Sequence, residues 1–191
     1  MKTMVIDTST QVLLLSFIED DKIIFQKELV GKNNHSENLI KNIKLALEEL
    51  HLEVKDFQRI IVGIGPGSYT GLRVSLTVAK TFAWTLDIPL YIVSSLDIIG
   101  SGYYQNDGKY LIKTRAKKGY VYCKLVEINN HHYQEIISDC FITENDFLSL
   151  VKDGYIIIDE TNYRFNPLLL FNLQEVEDLI LLEPNYLRGE M

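Results

Sequence analysis

Short apolar runs separated by brief polar turns begin the chain and predict β-structure. The apolar positions at residues 4–6, 12–18 and 23–25 each have the length of a strand. Connections this short leave no room for a crossover, so the three strands are predicted to form an antiparallel meander. Asp20 and Asp21 are predicted to form the turn between the second and third strands.

Two helical patterns and two further strands complete the first half of the chain. Asn34 followed by Glu37 has the spacing of a capping box and predicts a first helix over residues 34–50. The further elements are strands at residues 60–62 and 90–93 and a second helix at residues 70–86. A three-stranded meander followed by two helix-then-strand units predicts an α/β half of the ribonuclease-H-like kind.

The second half of the chain has the pattern of a reduced copy of the first. Its predicted elements are helices at residues 95–104 and 143–151 and strands at residues 110–115, 120–128, 134–138 and 155–158. The segment at residues 167–191 is ambiguous between helix and coil. Duplication of a ribonuclease-H-like half predicts the actin-like (ASKHA) fold of two lobes, residues 1–95 and 96–191, with the second lobe reduced.

Composition narrows the function and the location. The chain has 191 residues and a formal net charge of −7, which argues against a free-standing nucleic-acid-binding protein. No apolar run approaches the ~20 residues of a membrane-spanning helix, and no signal-peptide pattern opens the sequence. The two cysteines, Cys123 and Cys140, lack metal-site spacing and are interpreted as buried free thiols of a reducing compartment, with a disulfide as the alternative. We therefore expect a cytoplasmic globular protein with no membrane contact.

A glycine-rich turn leads from the strand at residues 60–62 into the second helix and is the strongest local signal. Its motif residues are Gly65, Pro66, Gly67, Ser68, Tyr69, Thr70, Gly71 and Arg73. The turn lacks the lysine of a Walker A loop and the third glycine of the Rossmann fingerprint, so nucleotide binding is not predicted. Glycine permits close approach of a phosphate or of another chain segment. Ser68 or Thr70 is predicted to cap the helix that follows.

The sequence offers few candidates for catalysis or metal binding. Asp7 follows the first strand, where it caps a turn or, as the alternative, faces a metal ion in an enzyme. His35 has no second histidine on its face of the helix, and no serine lies in a nucleophile elbow. We therefore predict no catalytic, cofactor-binding or metal-binding residue.

The second helix is uncharged over most of its circumference. The only charges, Arg73, Lys80 and Asp87, recur at intervals of seven residues and share one stripe. A helix of this kind is expected to be buried on two sides, by its own sheet and by something else. We predict that a partner protein covers the second side, with burial under the protein's own second lobe as the alternative. The predicted partner-interface residues are Leu45, Val74, Val78, Thr81 and Phe82.

Six short motifs, in the same order along the chain, resemble those of the bacterial TsaB (YeaZ) family. They are Asp-Thr-Ser at residues 7–9, His-Ser-Glu at 35–37, the glycine turn at 65–73, Ser-Ser-Leu at 94–96, Lys-Gly-Tyr-Val-Tyr at 118–122 and Pro-Asn-Tyr-Leu-Arg at 184–188. The resemblance implies an actin-like fold of two lobes without a working nucleotide or metal site. It also implies a non-catalytic, dimerising subunit that binds no cofactor.

The resemblance further implies the partners. Family members support the catalytic paralogue TsaD and act with the ATPase TsaE to place a threonylcarbamoyl group on N6 of an adenosine in tRNA. Their first two helices pack against the paralogue, the same surface can form homodimers, and tRNA is met only through the complex. The basic segment at residues 113–124 is interpreted as a solvated hairpin, with tRNA contact in the complex as the alternative. Two other functions stay open, a small-molecule kinase or ATPase of the same superfamily and a glycoprotease-like metallopeptidase.

Overall fold

The computed structural model describes residues 1–31 and 35–187. The predicted capping box of Asn34 and Glu37 and the last residue of the tail motif, Arg188, lie outside the residues and side chains that are described. Within the described ranges, no helix is both long enough and apolar enough to cross a membrane.

The described residues form ten strands and four α-helices. The strands are β1 (Lys2–Asp7), β2 (Val12–Glu19), β3 (Lys22–Val30), β4 (Arg59–Gly63), β5 (Leu90–Val93), β6 (Gly108–Arg115), β7 (Tyr120–Asn129), β8 (His132–Thr143), β9 (Tyr155–Ile158) and β10 (Gln174–Glu175). The helices are α1 (His35–Leu50), α2 (Tyr69–Leu86), α3 (Ser95–Gly100) and α4 (Glu144–Leu150). Short 3-10 turns lie at Val54–Asp56, Ser101–Tyr103 and Pro167–Leu169.

The first sheet has the order β10-β5-β4-β1-β2-β3. Strands β1, β2 and β3 pair antiparallel, and the turn between β2 and β3 places Asp20 and Asp21 at positive φ, as predicted. Strand β4 pairs in parallel with both β1 and β5. This arrangement confirms the predicted meander followed by two parallel strands, which is the ribonuclease-H-like half.

The second sheet, in the order β8-β7-β6-β9, repeats the connectivity of the first. Strands β6, β7 and β8 form an antiparallel meander, α4 follows β8, and β9 then pairs in parallel with β6. Strands β1 to β4, with α1 after β3, follow the same path. After β9 the chain returns to the first sheet, where β10 pairs with β5. The second half is therefore a shortened copy of the first, as predicted.

Several predicted boundaries differ from the structure, among them that of the strand predicted at residues 23–25, which extends over Lys22–Val30 along β2. The helix predicted over residues 95–104 is α-helical to Gly100 and continues as a 3-10 turn over Ser101–Tyr103, where the Gly102 backbone donates a hydrogen bond to the Arg164 carbonyl at 2.9 Å. The strand predicted near residues 134–138 extends over His132–Thr143, since it pairs with the whole length of β7. The ambiguous tail contains β10 and mostly irregular backbone.

Alternation along the central strands divides the core into two sides. Met4 and Ile6 of β1 face α1 and α2, whereas Val5 faces α3 and the second sheet. On the far side of the second sheet, Leu111 packs with Phe147 of α4. The layers are therefore α1 with α2, the first sheet, α3 with the segment after it, the second sheet, and α4. The division into lobes 1–95 and 96–191 stays a prediction, and residues 174–182 pack against the first sheet and its helices.

Candidate functional site

The glycine turn starts α2 and sets its direction. Ser68 is the N-cap, and its Oγ accepts a hydrogen bond from the Gly71 backbone at 3.3 Å, while Thr70 is exposed in the first turn. Gly65 has φ +109, a value that favours glycine, and it is followed by a cis peptide bond to Pro66. The turn connects β4 directly to α2.

The glycines of this turn lie against the protein's own backbone. A Cβ on Gly71 would lie 1.8 Å from the carbonyl oxygen of Thr8, and a Cβ on Gly67 would lie 2.4 Å from that of Ser9. Two hydrogen bonds close the contact: Thr8 Oγ1 donates to the Gly71 carbonyl at 2.6 Å, and Ser68 N donates to the Ser9 carbonyl at 2.6 Å. We call this contact, between residues 65–71 and residues 7–9, the glycine junction. Of the two interpretations of the turn, close approach of another chain segment is the one that this geometry supports.

Asp7 is the first residue of the glycine junction and is fully buried. Its Oδ1 accepts hydrogen bonds from the backbone N and the Oγ of Ser9, at 2.8 and 2.6 Å, which makes Asp7 a turn cap. Its Oδ2 accepts from Ser95 Oγ at 2.6 Å, and Ser95 Oγ in turn accepts from the Gly65 backbone at 3.0 Å. The carboxylate therefore joins β1, the glycine turn and α3.

The tail motif, the segment at residues 184–188 named above for its resemblance, contacts the glycine turn through its described residues. Asn185 donates its backbone N–H to the Ile64 carbonyl at 2.7 Å. The Tyr186 ring stacks on the Tyr69 ring with centroids 5.0 Å apart, and Arg73 donates from Nε to the Tyr186 hydroxyl at 2.9 Å. The Arg73 guanidinium also lies 4.1 Å above the centre of the Tyr69 ring. The glycine turn and the tail, which are distant in sequence, form one structural unit.

The tail also accounts for the charged stripe on α2. Lys80 Nζ donates to the carbonyls of Ile180 and Leu182, at 3.4 and 3.1 Å, while Asp87 ends the helix in a left-handed conformation. Arg73 and Lys80 thus point at the tail and away from the remaining exposed face. The spacing of Arg73 and Lys80 in the sequence predicted that the two cations share one side of α2. It did not predict which groups would accept their hydrogen bonds.

The five predicted interface residues fall into two groups on α1 and α2. Leu45 is 46% exposed and Thr81 is also exposed. Val74, Val78 and Phe82 are half-buried and pack on the hydrophobic core beneath the helices. The second sheet lies on the opposite face of the first sheet from α2, whereas Ile180 and Leu182, which fall within the second predicted lobe, accept hydrogen bonds from Lys80 of α2. Burial of α2 under its own second lobe therefore stays open as the alternative. Whether a partner covers these residues stays a prediction.

Two apolar features near these residues extend the surface that sequence reasoning identified. A groove of about 470 Å³ runs along α1 to Phe82 of α2, and its walls include the apolar Ile40 and Leu47 together with the charged Lys44 and Glu48. Ile40 is 50% exposed, and Trp84 on α2 is 79% exposed. Sequence reasoning missed Trp84, because a single tryptophan on a helix is not by itself a signal of an exposed apolar patch.

A buried ion cluster lies between the two sheets, and sequence reasoning missed it. The Lys124 ammonium lies 2.6 Å from Asp97 Oδ2, 2.7 Å from Glu135 Oε2 and 3.7 Å from Asp139 Oδ1. The Lys124 side chain is only 3% exposed, which corrects its assignment to a solvated hairpin. Ser94 Oγ, at the start of α3, donates to Asp139 Oδ1 at 2.8 Å. The cluster thus links the end of β5 and α3 to β7 and β8.

The electrostatics of the cluster bring the pKa of one carboxyl group, Asp139, close to neutral pH. Burial lowers the pKa of Lys124, but the charges of Asp97 and Asp139 together with the hydrogen bonds to Asp97 and Glu135 outweigh burial, so the pKa is raised and the lysine stays charged. Burial raises the pKa of Asp139 to about 6, although Lys124 and the Ser94 hydrogen bond pull it down. A polar cavity of about 460 Å³ adjoins these groups. Among the described residues, no three His, Cys, Asp or Glu side chains are grouped as a metal site.

The glycine junction predicts a steep steric penalty at Gly71. In Gly71→Ala, the gain of about 1 kcal/mol from helix propensity is smaller than the penalty for a methyl group 1.8 Å from the Thr8 carbonyl oxygen. We expect the free energy of unfolding to fall by about 3 kcal/mol in urea denaturation. The control is Gly108→Ala, where the nearest atom would lie 3.4 Å away and the change should stay within about 0.5 kcal/mol. Equal effects of the two changes would contradict the close packing.

Asp139 predicts a pH dependence of stability. Its folded-state pKa of about 6 lies above the ordinary value of 3.8, so the folded state binds the proton more tightly and the contribution of Asp139 to stability rises as the pH falls through 6. Between about pH 7 and pH 5 this contribution amounts to about 1.4 kcal/mol, which Asp139→Asn should remove. Urea denaturation across this range measures the effect, and Glu144→Gln, an exposed change on α4, is the control. Parallel pH profiles of wild type and Asp139→Asn would refute the assignment.

Comparison with known proteins gives relatives along most of the chain. The family model TsaD, described as tRNA N6-adenosine threonylcarbamoyltransferase, matches residues 27–178. The protein of Bacillus subtilis named tRNA threonylcarbamoyladenosine biosynthesis protein TsaB is 33% identical over 153 residues, which are 80% of this chain and 67% of that protein. The Escherichia coli protein of the same name is 26% identical over 64% of this chain and 53% of its own length. The chain thus spans between about half and two thirds of the length of these relatives.

Solved structures with the same fold carry the name YeaZ. A protein described as similar to peptidase YeaZ from Pseudomonas aeruginosa has a TM-score of 0.82 at 18% identity, covering 98% of this chain and 99% of that chain. YeaZ from Pseudomonas aeruginosa has a TM-score of 0.73 at 17% identity, covering 85% of each chain. At these identities the likeness shows the fold alone. From the matched family model and the 33% identity to the Bacillus protein, it follows that this chain belongs to the TsaB (YeaZ) family.

Proposed function

We propose that this protein is a non-catalytic subunit of the machinery that places a threonylcarbamoyl group on N6 of an adenosine in tRNA. Membership of the TsaB family and the printed names of the relatives support the pathway. In this proposal the protein binds a TsaD-type catalytic paralogue, works with a TsaE-type ATPase and meets tRNA only through the complex. A cytoplasmic location follows from this proposal.

The observation that carries the proposal is the uncharged, exposed face of α2 beside the groove to α1. Thr77, Thr81 and Trp84 are exposed on this face, and the half-buried Val74 and Val78 border it. The cations of the helix are held by the tail, so they do not interrupt this face. An uncharged face of α2 beside a largely apolar groove suits an apolar partner helix, and the Lys44–Glu48 ion pair of α1 lies at the groove as a polar neighbour. The same surface explains how two copies of the chain could form a homodimer when the paralogue is absent.

The arrangement around Asp7 supports a structural task over a catalytic one. Both carboxylate oxygens accept hydrogen bonds from Ser9 and Ser95, and the glycines above them pack on backbone. In the alternative function, an active kinase or ATPase, Asp7 would have to direct its carboxylate to a metal ion. A glycoprotease-like metallopeptidase would need a cluster of metal ligands, for which the described residues offer no group.

The test of the proposal is a charge on the exposed face of α2. In Thr81→Glu the new carboxylate lies on an exposed position, so the monomer should fold, but pairing would bury an unpaired charge. We expect the affinity for the TsaD-type paralogue to fall at least about tenfold, measured by co-purification and titration of the purified proteins. The matched control is Leu148→Glu on α4, where Leu148 is 65% exposed at the other end of the layers. Wild-type pairing by Thr81→Glu, or equal loss in the control, would overturn the interface.

A second experiment separates the proposal from the kinase or ATPase alternative. We expect the isolated protein to release no phosphate from ATP above the blank, and Asp7→Asn to lower the free energy of unfolding by about 1–3 kcal/mol through its buried hydrogen bonds. Phosphate release by the wild type that Asp7→Asn abolishes, in a variant that remains folded, would favour the alternative.

A further inference from the structure

The only two cysteines of the sequence face each other across two strands of the second sheet. Cys123 of β7 is directly opposite Cys140 of β8 in the antiparallel ladder. Their Sγ atoms are 3.0 Å apart, and both thiols are free. Two thiols at this distance need only a small approach of the strands to form a bond.

The two thiols differ in their surroundings. Cys123 is fully buried in the cluster beneath α4, beside Leu111 and Phe147, whereas Cys140 is partly exposed. The hydrogen bond with Cys123 lowers the pKa of the Cys140 thiol, and the same contact raises the pKa of Cys123. Cys140 is therefore the thiol that solvent-borne reagents reach and that forms a thiolate more readily. Cys123 lies behind it in the position of a resolving thiol.

We propose that Cys123 and Cys140 form a reversible disulfide when the protein meets a peroxide. The Cys140 thiolate attacks one oxygen of hydrogen peroxide, forms a sulfenic acid and releases hydroxide, which is protonated to water. The sulfur of Cys123 then attacks the sulfur of the sulfenic acid, forms the S–S bond and expels hydroxide, which leaves as water with the Cys123 proton. The two thiols lose two electrons in total, and one peroxide is reduced to two waters.

Strand geometry indicates that this disulfide is readily reduced. The Cβ atoms of directly opposed residues in an antiparallel pair lie about 4.5–5.5 Å apart, whereas a relaxed disulfide holds them about 3.8 Å apart. In the proposal the bond draws the strands together, and disulfides that work against their strand geometry are the ones that thiol reductants open easily. The dithiol is then the resting state, and the disulfide is a response to oxidant.

The position of the pair connects it to the buried ion cluster. Lys124 follows Cys123 and Asp139 precedes Cys140, so successive side chains point to opposite faces of the sheet. The ladder is irregular at this place, with a register shift between Cys123 and Leu125. Drawing the strands together at the thiols would act on the spacing of Lys124 and Asp139, whose charged atoms lie 3.7 Å apart.

The experiment uses the full chain, reduced with dithiothreitol, desalted and treated with a small molar excess of hydrogen peroxide. We expect the denatured protein to lose both sites for N-ethylmaleimide, its mass to fall by two hydrogens, and a proteolytic peptide to contain Cys123 bonded to Cys140. Dithiothreitol should restore both alkylation sites, and a non-reducing gel should show a monomer. Retention of both free thiols, stable addition of oxygen, or a disulfide-linked dimer would overturn the proposal.

Single substitutions separate the roles of the two thiols. Cys140→Ser should leave Cys123 unmodified by peroxide in the folded protein, because Cys123 is fully buried. Cys123→Ser should accumulate a sulfenic acid at Cys140 that dimedone traps, since no resolving thiol remains. Circular dichroism checks that both variants fold. Rapid oxidation of Cys123 in a folded Cys140→Ser variant would contradict the assignment of Cys140 as the attacking thiol.

Discussion

Backbone contact at the glycine junction fixes the position of α2 against the loop after β1. The first turn of α2 lies against the loop after β1, with Gly71 so close to the Thr8 carbonyl that a methyl group does not fit. The hydrogen bond from Thr8 Oγ1 to the Gly71 carbonyl fixes the separation of the two segments. Since an α-helix is stiff, holding its first turn sets the direction of the whole of α2. Glycines at a strand-to-helix turn can allow a phosphate to approach the backbone. Here they allow the close approach of a neighbouring backbone segment, residues 8 and 9.

The two faces of the first sheet pack against different elements, and hydrogen bonds of Asp7 link the two sides. One face supports α1 and α2, whose outer surface is the partner face that we propose. The other face supports α3 and the second sheet, with Lys124 and its carboxylates between them. Asp7 Oδ1 caps the turn within the glycine junction, and Asp7 Oδ2 holds Ser95 at the start of α3. A disturbance of the glycine junction therefore reaches both the partner face and the junction with the second sheet.

Much of the fold followed from local patterns in the sequence. The parts that could not be predicted are those that depend on contacts between residues distant in sequence. Strands β1 to β5 and the antiparallel meander were predictable because apolar periodicity and turn length decide them locally. The buried position of Lys124 was not predictable, because a lysine in a basic segment looks solvated until Asp97 and Glu135 arrive from other elements. The tail was ambiguous for the same reason, since its carbonyls and Tyr186 are ordered by side chains of α2.

The tail decides which face of α2 remains open. Without it, Arg73 and Lys80 would place two cations on the surface of the helix, and burying them against an apolar partner would carry a desolvation penalty. The tail gives Lys80 two backbone carbonyls and gives Arg73 a hydroxyl and an aromatic ring. The charges are thereby held on one flank, and the face around Thr81 is left uncharged. The tail thus prepares the docking surface that we propose without itself having to touch the partner.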